Sequence, residues 1–437
     1  MWGRKRLSTG LIVCLALTGA PLTGIGAGIG ATNAQAAETQ GGTTQGGAAQ
    51  TPVAVDPDFA AWLEGFKLDA VAAGISTSLV NEVFDGLTIN TRVYELNDNQ
   101  PEFSRAIWDY LDSAVSTRRV DNGRGNFAKN RALLSRIENK YGVDADIIVA
   151  IWGLESAYGA VMGDHDTIRA LATLAWKGRR TSYGRSQLIG ALKIIQNGYA
   201  TRSQLRGSWA GAMGQTQFIP TTYLTHAVDA DGDGRRDIWT NLNDVFASTA
   251  NYLSASGYRL DTPWGIEVTL PSDFDFDLAS PKTRRALAEW AASGLTGARG
   301  DFIGKHDPNL RARLIVPAGA RGPAFLVFAN FEAILKYNRS TAYALAVGML
   351  SDAVAGGPAT TAGSWPRADR ALSLSERKSL QVALAQQGYN PGPADGVIGA
   401  NTKRALKAWQ RSVGVPADGY ASAATLNALV NDTAPMQ

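Results

Sequence analysis

The sequence predicts a mainly α-helical protein carrying a small β-rich subdomain, followed by a separate small three-helix domain. Three observations carry this. Apolar residues recur at spacings of three and four from residue 56 to about residue 197, the mark of amphipathic helices. Short β-type runs broken by Pro, Gly and Asp take over between about 262 and 328,. A Gly, Pro, Ala and Thr stretch at 355–370 then separates a last group of helical patterns from the rest,.

The ends of the chain limit its class. With 437 residues and 45% hydrophobic content it can bury a sizeable core in two or three domains. Arg4, Lys5 and Arg6 precede an apolar run from Leu11, and a Gly/Ala-rich stretch ends in Ala34-Gln35-Ala36. Residues 1–36 therefore read as a signal peptide cleaved after Ala36, which predicts export to the periplasm or cell envelope. A membrane anchor is the alternative, but Gly and Pro interrupt the segment well short of a clean span. Val13 before Cys14 argues against lipidation. Cleavage removes the single cysteine, so disulfides, thiolate metal sites and thiol nucleophiles are excluded. It also removes three of 42 basic residues, leaving 39 against 39 acidic. That balance gives no basis for nucleic acid or an anionic membrane as the partner.

Residues 37–55 are Gly, Thr, Gln and Ala, a solvated linker,. A catalytic-sized domain is expected over 56–354. Its first helix has Phe59, Trp62 and Phe66 on one face, and its second has Leu79, Val80, Val83 and Phe84,. Further helices are predicted at 131–141, 168–176 and 185–197, the last with Leu188, Leu192 and Ile195 aligned. Strands are predicted at 266–270 and 325–328, and a closing helix at 341–354. Past a 355–370 linker, the domain at 371–431 shows a helix at 375–387, an Asp395-Gly396 turn, a helix with Ala405, Trp409 and Gln410, and an Asp418-Gly419 turn before a third helix. The two Asp-Gly turns form a faint internal echo.

One helix organises the chain. It lies within 143–159, with Asp144 placed as N-cap and Val143 and Ile148 as a hydrophobic staple,. Ile148, Ile151 and Glu155 share a face, so a carboxylate sits where burial is expected. Desolvation raises the pKa of Glu, the usual way a protein obtains a general acid near pH 7. A helix-end Glu turned to water is the alternative. Asp164 and Asp166 flank His165 in a polar loop and read as surface charges,.

Gly153-Leu154-Glu155-Ser156, the run from Gly207-Ser208-Trp209 through Gly214-Gln215-Thr216-Gln217-Phe218-Ile219-Pro220, and Tyr337-Asn338-Arg339-Ser340 resemble the membrane-bound lytic murein transglycosylase B family over about 56–353. Residues 371–431 resemble a small peptidoglycan-binding domain. The resemblance implies a lysozyme-like α+β catalytic domain that cleaves the MurNAc-β-1,4-GlcNAc bond of peptidoglycan. It implies 1,6-anhydromuramyl products, Glu155 as sole acid and base, and no cofactor for catalysis. Implied partners are glycan strands and complexes of cell-wall synthesis or division, for a monomeric enzyme. A hydrolytic muramidase using water and a non-catalytic wall-binding protein are the rival functions. By the same resemblance Ser208 and Gln217 bond the substrate beside Glu155, while Tyr110, Tyr252, Tyr337, Asn338 and Tyr343 line the groove. Arg179, Arg180 and Tyr183 fall where the family places groove residues. Tyrosines with Asn, Gln and Ser suit sugars, whose C–H faces meet rings and whose hydroxyls meet amides. Core rings, a solvated arginine loop and an Asn338 helix cap are the competing roles. A tether at 355–370 is expected to raise the local concentration of glycan at Glu155.

Asp229, Asp231, Asp233 and Gly234 open like an EF-hand loop, in which alternate carboxylates converge on a hard cation. Position twelve is Thr240 rather than Glu, and position nine is Asp237. The resemblance implies a longer loop closed by Asp244, with the Arg235 carbonyl as mid-loop oxygen and a structural calcium; an empty Asp/Gly turn is the alternative. His165, His226 and His306 are the only histidines, none at metal-ligand spacing, which argues against zinc chemistry. No Gly-x-Ser-x-Gly elbow supports a serine hydrolase.

Overall fold

The structure is a computed structural model describing residues 56–98 and 105–431; the signal-peptide and 37–55 linker expectations lie outside it. Helices dominate. The first, Pro57–Ala72, starts where sequence chemistry dictates: Pro57 fits the first turn, and Asp56 Oδ1 accepts from the backbone of Asp58 at 2.9 Å and Phe59 at 3.2 Å,. It buries Phe59, Leu63, Phe66 and Ala70 against Thr167–Trp176 and Thr181–Gln196. Asp166 caps the first of these, and the second begins four residues before its predicted start. This forms one core. A second core gathers Ala145–Ser156, Leu242–Ala255, Ala329–Tyr337 and Thr341–Val354. Tyr337 packs against both, marking the seam between them.

The predicted β texture is a five-stranded antiparallel sheet of β3 (Gly265–Thr269), β4 (Arg285–Ala286), β5 (Thr296–Gly297), β6 (Arg311–Ile315) and β7 (Ala324–Val327), in the order β4-β6-β7-β3-β5. A separate pair, β1 (His165–Asp166) and β2 (Arg206–Gly207), lies near the seam. All four residues of β7 are buried because it separates two cores. Ala324 and Leu326 enter the sheet's own cluster, and Phe325 and Val327 the cluster of the Ala145–Ser156 helix. That is the two-residue alternation of a strand covered on both faces.

The last helix matches its expected bounds, 341–354. The segment after it does not behave as the expected tether. Glu267 accepts the backbone N–H groups of Ala362 at 2.8 Å and Gly363 at 2.7 Å, Trp365 packs tilted against Trp108 at 6.2 Å, and Arg367 forks onto Asp112 at 2.7 and 3.0 Å. The composition of a linker conceals fixed contacts here. Beyond it the three expected helices are Leu374–Gln386, Ala400–Ser412 and Ala423–Asn431. The two Asp-Gly turns have a shared cause: Gln381 accepts the Gly396 N–H at 2.7 Å, and Gln410 accepts the Gly419 N–H at 2.8 Å. Each helix offers one buried amide to one turn. This unit is docked: Lys407 donates to the Phe276 carbonyl at 2.7 Å and meets Asp277 at 3.2 Å, while Asp418 accepts the Ala320 N–H at 2.7 Å.

Candidate active site

The Ala145–Ser156 helix is buried nearly all round, with nine of its 12 residues inside. It is pinned at its start differently from the expectation. Asp144 holds the N-cap position but its carboxylate makes no capping bond; it accepts from the Tyr258 hydroxyl at 2.6 Å. The backbone N–H of Ala145 goes to Glu138 at 2.9 Å, and that of Ile147 to Asp146 at 2.7 Å. Burial, with the adjacent Asp144 charge, pushes Asp146 up to about 7,.

The other end carries the motif around Glu155. A Cβ on Gly153 would meet the Tyr158 ring at 2.5 Å, so only glycine lets that ring fold back over the helix. Ala157 (φ 49°), Tyr158 (φ 61°) and Gly159 (φ 83°) are all left-handed. Two consecutive non-glycine residues there are strained, and such strain clusters at functional sites. Ser156 helps hold the turn, its hydroxyl accepting the Gly159 N–H at 3.1 Å.

Glu155 is half-buried, and the Tyr343 hydroxyl donates to its Oε1 at 2.6 Å. Burial pushes its carboxyl from 4.5 up to about 7, opposed by the Tyr343 hydrogen bond. Neighbouring charges do not figure among these causes. A carboxyl so poised is half protonated near neutrality, and can give a proton and take one back.

The 207–220 run folds against this helix. Ser208 and Ala212 are bonded twice, Ser208 N–H to the Ala212 carbonyl at 2.8 Å and Ala212 N–H to Ser208 Oγ at 3.0 Å. The Ser208 hydroxyl thus keeps its own proton to donate. Gln217, at φ 51°, gives its Nε2 protons to the carbonyls of Met162 at 3.0 Å and Gly214 at 2.8 Å. Its amide oxygen is what it can offer a sugar hydroxyl.

Tyr252 and Tyr337 stack edge to face at 4.9 Å, with Phe218 5.8 Å from each. The Tyr337 hydroxyl donates to the Thr216 carbonyl and that of Tyr252 to the Lys336 carbonyl, both at 2.6 Å. Tyr110 packs against the core that contains the Glu155 helix. Asn338 is 7% exposed and ends the Ala329–Tyr337 helix. The cap of the following helix is Ser340, whose Oγ accepts the Tyr343 N–H at 3.3 Å, which removes the competing role of Asn338 as that cap. Arg180 and Tyr183 brace the run, Arg180 lying over Trp209 at 5.4 Å and Tyr183 donating to the Ala210 carbonyl at 2.7 Å, whereas Arg179 donates to the Asn97 carbonyl at 2.7 Å. Asp164 is exposed, and Asp166 pairs with Arg202 at 2.7 Å.

Of the loop carboxylates, Asp229, Asp231 and Asp244 converge, with ligand oxygens all within 4.8 Å of one another. Calcium–oxygen bonds of about 2.3–2.6 Å place opposed ligands roughly 5 Å apart, so the donor set fits that ion. Asp244 is fully buried and accepts the N–H groups of Ala230 at 2.8 Å and Asp237 at 2.7 Å. Burial, with the nearby Asp231 and Asp229 charges, pushes it up to about 6; a cation reverses that balance. Asp233 turns to the Arg235 N–H at 2.8 Å, and Asp237 to those of Trp239 at 2.8 Å and Thr240 at 2.9 Å. Gln215, given no task by the sequence, is buried between the helix and the end of this loop.

Fold and site together define a lysozyme-like domain built around one half-buried glutamate hydrogen-bonded to a tyrosine. The chain matches the transglycosylase SLT domain family over residues 58–352 and a peptidoglycan binding domain over 373–429. It is similar to the membrane-bound lytic murein transglycosylase B of Escherichia coli (strain K12), 34% identical over 278 residues, covering 60% of this chain and 74% of that one. Among solved structures it resembles SltB3 of Pseudomonas aeruginosa in complex with NAG-anhNAM-pentapeptide, at 49% identity and TM-score 0.82, covering 85% of this chain and 99% of that one. It also resembles the Escherichia coli lytic transglycosylase Slt35 in complex with calcium, at 30% identity and TM-score 0.57, covering 69% and 93%. The chain belongs to the transglycosylase SLT domain family: it is a lytic transglycosylase, an enzyme acting on peptidoglycan.

Proposed function

We propose that Glu155 alone serves as acid and base in breaking the MurNAc-β-1,4-GlcNAc bond. Protonated Glu155 gives its proton to the glycosidic oxygen as the C1–O bond breaks and positive charge develops on the muramyl ring. The resulting carboxylate takes the proton of the same sugar's C6 hydroxyl as that oxygen bonds to C1. The acid is regenerated and a 1,6-anhydro end is left, with no water consumed. The observation that carries this reading is the Glu155 carboxyl, raised to about 7 by burial and held by the Tyr343 hydroxyl at 2.6 Å. A two-carboxylate hydrolase needs a second acid or base, and Asp166 is engaged elsewhere. Ser208 and Gln217 offer one donor and one acceptor to the sugar, and Tyr110, Tyr252, Tyr337, Asn338 and Tyr343 supply the groove's rings and amide. Arg180 and Tyr183 act at its edge through the 207–220 run, with Arg179 beside them. Mass spectrometry of digested murein tests the reaction: the expected muropeptides are lighter by one water than hydrolytic ones and lack a reducing end. Reducing-end products support the hydrolytic alternative.

The 371–431 unit is read as a second contact with the same polymer, and 56–354 as the catalytic domain. The Arg4–Ala36 pattern supports an envelope location; among the described residues no helix is long and apolar enough to cross a membrane. Asp229, Asp231 and Asp244, with Asp233 and the Arg235 carbonyl completing the loop, are read as a structural calcium site. Calcium at a hundredfold excess over its Kd stabilises a folded protein by about 2.7 kcal/mol, or roughly 3–5 °C in Tm for a domain of this size. Thermal denaturation with calcium chloride and with EDTA checks this, and Asp244→Asn is expected to lose the response.

A further inference from the structure

Gln215 is 7% exposed, yet both ends of its amide are used. Its Oε1 accepts the indole N–H of Trp152 at 2.7 Å, and its Nε2 donates to the Trp239 carbonyl at 2.7 Å. Its backbone N–H reaches the Ile238 carbonyl at 2.8 Å. The same Oε1 occupies the space where a Cβ on Gly159 would sit, 2.5 Å away. One side chain therefore touches the Glu155 helix, the strained turn after it, and the end of the acidic loop.

Trp152 lies one helical turn before Glu155, on the same face. Its indole is wedged edge to face against Tyr158 at 5.4 Å and Phe246 at 5.0 Å. Phe246 sits two residues after Asp244, on the helix that supplies that carboxylate. The loop thus reaches Trp152 by two routes, the Gln215 amide and the Phe246 ring. Holding the indole fixes the rotation of the helix about its axis, and with it the direction of Glu155. Proton transfer to a glycosidic oxygen tolerates little error in that direction.

We infer that Gln215 is a positioning residue that transmits the state of the acidic loop to Glu155 through Trp152, so that calcium in the loop acts on catalysis as well as on stability. The inference rests on the calcium and single-acid readings above. It is tested in the full chain with the parent, Gln215→Met, Trp152→Phe and the double variant. Gln215→Met keeps the length of the side chain without its hydrogen bonds, and Trp152→Phe keeps a ring without the N–H. Each is assayed on murein with calcium chloride and with EDTA, well below its own Tm, and Tm is measured under both conditions. Calcium is expected to raise Tm in all four proteins but kcat in the parent alone. Gln215→Met is expected to lose about tenfold in kcat with KM within twofold, and the double variant to lose no more than the worse single one. Equal activation of parent and Gln215→Met by calcium overturns the coupling, as do single losses that multiply in the double variant. A parent Tm indifferent to calcium overturns the loop reading and the coupling with it. A parent whose products carry reducing ends overturns the single-acid reading instead.

Discussion

Glu155→Gln is expected to reduce muropeptide release at least about a thousandfold, since one group performs both proton transfers and each is worth roughly 10²–10⁴. The protein itself should gain stability at high pH. The folded-state carboxyl is raised from 4.5 to about 7, so the folded chain holds this proton longer than the unfolded one. The associated stability is complete below about pH 4.5 and is lost as pH rises through about 7. Glutamine does not titrate and still accepts from the Tyr343 hydroxyl. The stability of the variant relative to the parent, read from Tm, should therefore rise between pH 4.5 and 8, by about 3 kcal/mol,. An inactive variant with a pH-independent Tm difference argues that the carboxyl is not buried. A variant that clears murein as fast as the parent leaves only the wall-binding reading.

The second large effect belongs to pH and Tyr343. With Glu155 needed in its protonated form to start the reaction, kcat/KM should fall about tenfold per pH unit above about 7,. The Tyr343 hydrogen bond favours the charged form and so lowers the pKa that burial raises,. Tyr343→Phe removes it. The basic limb should then move to higher pH, while activity at the optimum drops roughly ten- to a hundredfold, the worth of one hydrogen bond to a charged group. The pH–rate profile of the variant on murein checks both parts. A limb that stays in place assigns it to another group.

The two predictions concern a residue that local patterning could find. Glu155 follows Ile148 and Ile151 at helical spacing, and the 341–354 helix and the β7 strand were readable from equally local signals, a run of alanine and leucine and a short β-type run. What periodicity could not reach are partnerships formed by chain reversal. Asp144 looks like a cap because caps are local, but its partner Tyr258 is 114 residues away. Gln215 meets Trp152 across 63 residues, and nothing in its neighbours announces a buried amide. The Thr117–Lys129 helix is polar, with two glycines and only Val120 and Gly123 buried, so it shows no stripe. Its Gly123 has a tertiary reason, because a Cβ there would lie 2.6 Å from the Tyr158 hydroxyl oxygen.

The contacts of segment 355–370 escape the sequence for a related reason: Gly, Pro and Thr describe a chain that need not fold, not one that cannot be held. Strapped by Glu267, Trp108 and Asp112, and with Lys407 and Asp418 gripping the sheet region, the last three helices sit at a set offset from Glu155. A murein strand repeats at regular intervals along its length. Two grips a constant distance apart on such a ladder would set which rung meets Glu155.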